Sequence, residues 1–386
     1  MVAIKDKIAC CGCSACASVC PQKYIKMTED EEGFRYPTVN LNNCIKCGLC
    51  EKICPVKNQT GNQEPNKNSF IKAYAAYIKE ENIRNSSSSG GIFSALAEWI
   101  LKNNGVVFGA SFDENMFVHH IAITENAELS KIRGSKYVQS DLESTFLKVK
   151  QCINGGYKVL FTGTECQVEG LKSYLGKQGN DDNLITVDIL CHGVPSIKLW
   201  SIYLKWQESE HNATVTKISF RDKKYGWKKF ATRIEFSDGS VYEQVNSEDP
   251  FMRMFLANIC LRPSCHKCKF KGINRCSDIT LGDCWQVERH SPEMDDDGGT
   301  SVVLIHSSKG EKIYRNVRKK IIDKEIEIKD AIPKDAESLN SASSHMNRSK
   351  FFRELQRGAT IPELLNLLDL SFWQKAQRKI KRIIQK

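Results

Sequence analysis

A chain of 386 residues is too long for a lone small metal-binding module, and it is long enough to include a larger domain with its own hydrophobic core. No leader-like segment opens the sequence, and no apolar run approaches the roughly 18 residues of a spanning helix, so we expect a cytoplasmic protein without a transmembrane segment. Seventeen cysteines in such a protein favour metal ligation over disulfides.

A duplicated cysteine run occupies residues 1–57. The first copy ends in Cys20-Pro21 and the second in Cys54-Pro55, and both have the spacing C-x2-C-x2-C-x3-C-P. In two-cluster ferredoxins the fourth cysteine of each run binds the other cluster. The sequence therefore predicts two [4Fe–4S] clusters, one held by Cys10, Cys13, Cys16 and Cys54 and the other by Cys44, Cys47, Cys50 and Cys20. Cys11 falls outside the spacing.

Two alternatives to this interpretation are a zinc protein and a nucleic-acid-binding protein. Structural zinc uses C-x2-C pairs but rarely this longer run twice. The formal net charge is +10, yet each oxidised four-thiolate cluster is a dianion, so two or three clusters would leave about +4 to +6. We therefore expect no nucleic-acid partner.

Residues 58–69 are polar and typical of a linker, after which strand-like apolar runs alternate with helix-period segments. Helices are expected at 92–100, 141–155, 167–175 and 196–206, with Pro195 opening the last. Strands are expected at 70–78, 106–112, 158–164, 184–190, 216–222, 231–244, 301–307 and 325–330, the sixth containing an Asp238-Gly239 hairpin turn. The predicted fold is a small α+β two-cluster ferredoxin domain followed by a larger α/β flavoprotein-type domain at 70–335.

The start of the first long helix is a candidate phosphate site. Ser88, Ser89, Gly90 and Gly91 precede it, so unpaired N–H groups would face an anion placed there. Hydroxyls and glycine at a helix start are also an ordinary cap, and this alternative stays open. No G-x-G-x-x-G follows a strand, so a nicotinamide site of the Rossmann type is not indicated.

Several segments, taken together, carry a resemblance to a known family. They are SSSSGGIFSAL, RGSKYVQS, LFTGTECQVEGL, VDILCHGVPS, FRDKKYGW, LRPSCHKCKFKG and RCSDITLGDCW. The chain resembles, over roughly residues 1–310, the coenzyme F420 hydrogenase/dehydrogenase beta-subunit family, in the bacterial form with a fused two-cluster ferredoxin domain. Plant 7-hydroxymethyl chlorophyll a reductase is a member of the same family.

The resemblance implies bound FAD and a third [4Fe–4S] cluster beside it. On the basis of this resemblance, we assign the third cluster to Cys166, Cys191, Cys265 and Cys268. Further flavin contacts implied in the same way are Ser135, Lys136, Tyr137, Thr162, Gly163 and Thr164. The residues permit this assignment, because Cys166 and Cys191 each follow a predicted buried strand, where loops converge into sites.

Other assignments of these cysteines remain open. Cys276 and Cys284 could extend the Cys265/Cys268 pair into a different zinc or cluster site, and His266 could replace a thiolate. The family pattern lacks cysteine at 276 and 284, which favours leaving both out. Glu165 departs from the pattern, which has proline there.

Residues 336–386 are expected to form a helical, basic extension. Thr360 and Glu363 are predicted to form a capping box. The last 15 residues have the pattern of a basic amphipathic helix. Two placements stay open for that helix: peripheral contact with an anionic membrane or an acidic partner, and packing on its own domain.

Two functions follow as hypotheses. The first is an oxidoreductase that uses FAD and [4Fe–4S] clusters to pass electrons between a ferredoxin-like or other redox partner and an unidentified small-molecule substrate or deazaflavin. The second is an electron-transfer subunit without its own substrate. Asp283 and His192 lie in motif segments, but their residue types alone assign them no catalytic role.

Overall fold

The structure is a computed structural model that describes Val2, Ile4 and residues 6–58, 71–333, 336 and 338–369. The predicted linker, apart from Asn58, and the basic segment at the end of the chain lie outside the described residues. Within the described part, every helix is too short or too polar to cross a lipid bilayer.

From residue 71 onward strands and helices alternate as the sequence predicts, except that two strands follow one another at 106–123 and three at 215–245. The strands are β1 (Ile25–Glu29), β2 (Arg35–Val39), β3 (Lys72–Ile78), β4 (Val106–Phe112), β5 (Val118–Ile123), β6 (Val159–Thr164), β7 (Leu184–Ile189), β8 (Val215–Asp222), β9 (Ala231–Phe236), β10 (Val241–Val245), β11 (Ile279–Asp283), β12 (Ser301–Ile305) and β13 (Ile321–Ile326).

The helices are mostly short. They are α1 (Ala15–Val19), α2 (Leu49–Lys52), α3 (Pro55–Asn58), α4 (Glu81–Asn85), α5 (Ile92–Lys102), α6 (Leu129–Ile132), α7 (Thr145–Asn154), α8 (Glu165–Leu175), α9 (Ile197–His211), α10 (Pro250–Leu256), α11 (Val287–His290), α12 (Ser308–Val317), α13 (Ile328–Ala331), α14 (Arg348–Gln356) and α15 (Ile361–Asn366). Single turns of 3-10 helix lie at Lys7–Ala9, Asn126–Glu128, Gly176–Asn180, Pro263–Lys267, Pro292–Met294 and Arg318–Lys320.

An eight-stranded mixed sheet organises the larger part of the chain, in the order β13-β3-β12-β11-β7-β6-β4-β5. Its four central strands, β11, β7, β6 and β4, are parallel, whereas the pairs on both sides of them are antiparallel. The carboxyl ends of parallel strands meet at one edge of a sheet, where ligand sites form. The segments after β6 and β7 are therefore brought together with the end of β11.

Helices cover both faces of this sheet. On one face α5 buries Ile92, Leu96 and Ile100 against it. On the other face α7 and α8 pack with Phe146 and Val168 in the core. A second sheet, β10-β9-β8, packs with α9 and α10 in a separate aromatic core, and a β9–β10 turn at Asp238-Gly239 closes its hairpin as expected.

The cysteine-rich segment contains one antiparallel pair, β1–β2, and packs tightly onto the larger part. Arg348 in α14 makes a two-point ion pair with Glu32 at 2.7 and 3.1 Å. Gly33, at φ +81°, lies so close to α9 that an added Cβ would fall 2.5 Å from the Lys198 Cβ. The two parts are therefore held in a defined relative position.

Several boundaries differ from the sequence prediction, and the helix predicted at 141–155, for example, begins only at Thr145. The last strand begins at Ile321, four residues before the predicted start, and the predicted stretch 325–330 runs from the end of β13 into α13. Its pattern EIEIKD alternates as a strand should, but only Glu325 and Ile326 of that stretch pair with β3, together with the four residues before them. Helix α9 begins at Ile197 with Ser196 as its N-cap, so Pro195 precedes the helix and does not open it.

Candidate functional site

Four cysteines surround a narrow pocket at the surface of the cysteine-rich segment. They line a space of about 30 Å³ together with Ile45 and Leu49, and Cys47 is exposed. We call these residues the outer set: Cys20, Cys44, Cys47 and Cys50. The set contains three cysteines of the second run and the last cysteine of the first, which is the combination that the spacing predicts for one cluster.

The other four cysteines of the two runs form the inner set: Cys10, Cys13, Cys16 and Cys54. Burial, followed by the neighbouring Cys10 and Cys54 thiols, raises the pKa of Cys16 to about 12. Buried thiols that repel one another as thiolates need a cation to hold them deprotonated, and cluster iron supplies one. The donor chemistry and the grouping thus suit one four-thiolate cluster.

A third set of cysteines lies at the carboxyl end of the parallel strands: Cys166, Cys191, Cys265 and Cys268. Cys166 is in the first turn of α8, Cys191 follows β7, and Cys265 and Cys268 lie in and after the 3-10 turn Pro263–Lys267. All four line a cavity of about 370 Å³, which we call the small cavity. Burial raises the pKa of Cys191 to about 12, with a further contribution from Cys166 and Cys268.

The cations around the small cavity suit an anionic cluster. Lys267, Lys269, Lys271 and Arg275 contribute to its wall. The Lys271 ammonium donates to the carbonyl oxygens of Cys191 and His192. Such charges offset the negative charge that four thiolates and a cluster would bring together.

The structure separates the third set from the alternative ligands. Cys276 and Cys284 do not line the small cavity, and Cys284 is buried in a core with Trp227 and Val287. His266 turns its Nδ1 to the carbonyl of Ala342 at 2.9 Å and is also absent from the cavity wall. Glu165, where the family pattern has proline, is the first residue of α8, a position at which proline and acidic residues are both favourable.

Cys11 lies between the inner and third sets. Its thiol is close enough to those of Cys13 and Cys166 to interact with both, and it also lines the small cavity. The interaction with Cys13 and burial raise the pKa of Cys11 well above its usual value. Spacing alone gave Cys11 no role, because its contact with Cys166 depends on how the two parts of the chain pack.

A large cavity of about 550 Å³ adjoins the small one, within the range of cofactor sites. Cys166, Cys191 and His192 contribute to the walls of both. Nine of the ten residues predicted to contact flavin line the large cavity: Ser88, Ser89, Gly91, Ser135, Lys136, Tyr137, Thr162, Gly163 and Thr164. The tenth, Gly90, packs against the sheet, where an added Cβ would fall 2.4 Å from the Ala76 oxygen.

The start of α5 faces this large cavity. Gly91, at φ +82°, occupies the N-cap position, and no side chain caps the helix. Ser88 instead accepts a hydrogen bond from the amide of Ser135 at 2.7 Å, and Ser89 donates to the carbonyl of Thr300. No serine hydroxyl caps the helix, which favours the use of first-turn N–H groups by an anion. Gly91 is itself an ordinary N-cap residue, so both interpretations of this segment stay open.

Two basic side chains stand near that helix start. Lys136 donates to the carbonyl oxygens of Lys131 and Arg133 at 3.2 and 2.9 Å, and burial lowers its pKa to about 7. Arg133 donates to Ser94 at 3.0 Å. Arg133 keeps this part of the large cavity cationic, and Lys136 adds a second positive charge below about pH 7.

Another part of the large cavity's wall is aromatic. Trp285 stacks on Trp227 at 4.8 Å between ring centroids, and Arg221 lies over the Phe230 ring at 4.0 Å. Asp283 accepts two hydrogen bonds from Arg221, at 2.8 and 3.1 Å, and one from Trp227. Asp283 thus orients Arg221. Nothing in the sequence predicted this pairing, although each residue lies in one of the motif segments.

Comparison with known proteins connects these features to a family. The sequence model described as a 4Fe–4S dicluster domain matches residues 9–58. The models for the N-terminal and C-terminal parts of coenzyme F420 hydrogenase/dehydrogenase beta subunits match residues 73–146 and 156–333. The chain thus joins an N-terminal 4Fe–4S ferredoxin domain to a larger mixed α/β domain.

Curated relatives and a solved structure are similar over most of the chain. Coenzyme F420-dependent sulfite reductase from Methanocaldococcus jannaschii is 24% identical over 82% of this chain, which spans 47% of that protein's length. One of the subunits of F(420)H(2) dehydrogenase from Methanosarcina mazei is 21% identical over 80% of this chain and 82% of its own. A chain of the F420-reducing [NiFe] hydrogenase complex from Methanosarcina barkeri gives a TM-score of 0.45 at 19% identity, covering 78% of this chain and 90% of that one. The two beta-subunit models and the ferredoxin model together establish that this iron–sulfur protein belongs to the coenzyme F420 hydrogenase/dehydrogenase beta-subunit family.

Proposed function

We propose that the chain is an iron–sulfur flavoprotein oxidoreductase that passes electrons between a ferredoxin-like partner and an organic substrate or deazaflavin. The observation that supports this most strongly is a series of sites. The outer set, the inner set, Cys11, the third set and the large cavity follow one another, and Cys166 and Cys191 form part of the wall between the two cavities. Relatives named for coenzyme F420 make a deazaflavin the first substrate to test.

Within this proposal, each set of residues has its own cofactor to bind. The inner and outer sets would each hold a [4Fe–4S] cluster in the domain formed by residues 1–57, joined by the linker 58–69 to an FAD and iron–sulfur domain at 70–335, with 336–386 as an extension. The third set would hold a third [4Fe–4S] cluster. When bound, such clusters move electrons singly, and FAD couples single-electron to two-electron chemistry.

Flavin binding is supported by the end of the large cavity where α5 begins. The uncapped first turn after Gly91 offers N–H donors to a pyrophosphate, and Lys136 adds positive charge. Ser135, Tyr137 and the Thr162–Thr164 segment would border the rest of the cofactor. The aromatic part of the wall, with Trp285 and Arg221, leaves a surface on which a planar substrate could stack.

Cofactor content tests the proposal directly. After anaerobic purification and reconstitution, we expect about twelve iron and twelve acid-labile sulfide per chain, for three four-iron clusters, and about one FAD. Replacing Cys265→Ser should lower iron by about four, whereas Cys152→Ser, on α7 and a member of none of the three sets, should not. Reduction by ferredoxin and reoxidation by a deazaflavin would then be followed by the flavin absorbance.

Each contrary result has a separate meaning. Zinc without sulfide would remove both the enzyme and the electron-transfer hypotheses. Full iron without any bound flavin would leave the second hypothesis, an electron-transfer subunit that serves a separate enzyme. Iron unaffected by Cys265→Ser would remove the third cluster from the proposal.

A further inference from the structure

A second group of metal-ligand side chains lies beside the third set. Glu165 and Glu169 stand one turn apart on α8, and Cys276 precedes β11. Glu165 borders the small cavity, whereas Glu169 and Cys276 line neither cavity. One carboxylate oxygen from each glutamate and the Cys276 Sγ lie within 4.8 Å of one another. Residues four apart on a helix share a face, so α8 presents both carboxylates to the same point.

Glu165 is the buried centre of this group, with only 5% of its surface exposed. Its Oε1 accepts a hydrogen bond from the amide of Cys276 at 2.8 Å, which holds the carboxylate toward that residue. Its Oε2 is buried and has no hydrogen-bond partner among the described residues. A buried carboxylate oxygen without a partner is costly, and a metal ion is one of the few groups that would satisfy it.

Two cations near the group already have partners of their own. Arg275 is paired with Asp188, and the Lys172 ammonium donates to the Cys276 carbonyl. The group itself would offer a divalent ion two carboxylates and a thiolate as donors.

We propose that Glu165, Glu169 and Cys276 bind one zinc ion. A mixed set of one thiolate and two carboxylates suits zinc, which accepts sulfur and oxygen donors in tetrahedral geometry and exceeds iron(II) and manganese(II) in affinity for a given site. Tetrahedral zinc places its donors roughly 3.5 Å apart, so side-chain adjustments of about an ångström would close the site. Water completes the fourth position.

The ion would link the first turn of α8 to the segment before β11. Cys166 follows Glu165 directly, so the same ion would also fix the turn that presents Cys166 to the third set. Zinc has no redox chemistry of its own, and we assign it a positioning role.

Metal content and zinc-edge X-ray absorption of the anaerobic holoprotein test this site. After incubation with zinc chloride and removal of free metal, we expect about one zinc per chain, with one sulfur at about 2.3 Å and oxygens at about 2.0–2.2 Å. Glu169→Gln and Cys276→Ser should each lower retained zinc roughly tenfold or more. The matched controls Glu210→Gln on α9 and Cys152→Ser on α7 should retain it.

Iron content measured in the same samples keeps this proposal separate from the cluster assignment. Iron should be unchanged in Glu169→Gln and Cys276→Ser. The proposal is overturned by a chain that takes up no zinc, by a zinc shell of four sulfurs, by equal zinc retention in variants and controls, or by iron that falls with Cys276→Ser.

Discussion

Arg262 is a fully buried cation directed at the inner set. Its Nε donates to the Cys10 carbonyl at 2.9 Å, its Nη2 lies 3.7 Å from the Cys10 Sγ, and its guanidinium lies 4.3 Å from the centre of the Tyr36 ring. A positive charge and hydrogen bonds beside a cluster stabilise its more negative, reduced state. Arg262 should therefore raise the reduction potential of the inner cluster.

The change Arg262→Gln should lower that potential by roughly 50–100 mV, since a tenfold change in a one-electron equilibrium constant corresponds to about 59 mV. Arg262→Lys, which keeps the charge and loses donors, should lower it less. Redox titration followed by electron paramagnetic resonance measures both. Equal potentials in all three proteins at full iron content would contradict this role.

Lys136 should make cofactor binding depend on pH. Its pKa is lowered to about 7 by burial, so the side chain is charged below that pH and neutral above it. An anion bound beside it restores the charge, which means that binding takes up a proton above pH 7. We expect the affinity of flavin-free protein for FAD to fall by up to about tenfold per pH unit above 7.

The change Lys136→Met should weaken FAD binding at pH 6.5 and flatten the pH profile. Lys131→Met is the matched control, because the Lys131 ammonium is exposed and paired with Glu128 at 2.9 Å. Titration of intrinsic flavin fluorescence at a series of pH values gives both quantities. A wild-type affinity that stays constant from pH 6.5 to 9 would rule out a charge-dependent contact from Lys136.

At the scale of elements, helix α8 connects the inner set to the sheet. Gly170 lies at the contact, where an added Cβ would fall 2.9 Å from the Cys13 Cβ and 3.1 Å from its Sγ. Glycine to alanine normally stabilises a helix interior by about 1 kcal/mol. At this position crowding should reverse the sign, because Cys13 belongs to a cluster-binding loop that has little freedom to move.

We expect Gly170→Ala to destabilise the holoprotein by about 1–3 kcal/mol and to promote loss of iron from the inner set. Ser173→Ala on the same helix should leave both quantities near the wild-type values. Chelator-challenged iron release and thermal unfolding under anaerobic conditions measure the difference. A Gly170→Ala protein as stable as the control would mean that Cys13 can shift without cost.

Many of the helices and strands could be predicted from the sequence. The run 158–164 and the helix after it were predictable because a buried apolar strand followed by a helical period is a local signal. The strand at Ile321–Ile326 was misplaced because EIEIKD alternates equally well, and only pairing with β3 selects the register. Cysteine ligands were predictable from spacing, whereas Arg262 lies 252 residues from Cys10 and its contact exists only after folding.

At the scale of the whole molecule, the series of sites begins at a surface that suits a protein partner. Leu41 and Ile45 are 61% and 62% exposed beside the outer set, and Leu49 is 38% exposed. Lys46 and Lys52 are exposed in the same region. An apolar centre with basic neighbours is complementary to a small acidic electron carrier, and opposite charges accelerate such encounters.

Docking at this surface predicts specific rate effects. At low ionic strength, Lys46→Glu should slow reduction of the clusters by a dithionite-reduced acidic ferredoxin by roughly tenfold and weaken its dependence on salt. Ile45→Ser should slow it with the salt dependence unchanged, because the lost contact is apolar. Lys205→Glu on α9 and Ile322→Ser on β13, both exposed, are the matched controls. Stopped-flow absorbance gives the second-order rate constants, and equal slowing by variants and controls would place the entry of electrons elsewhere on the protein.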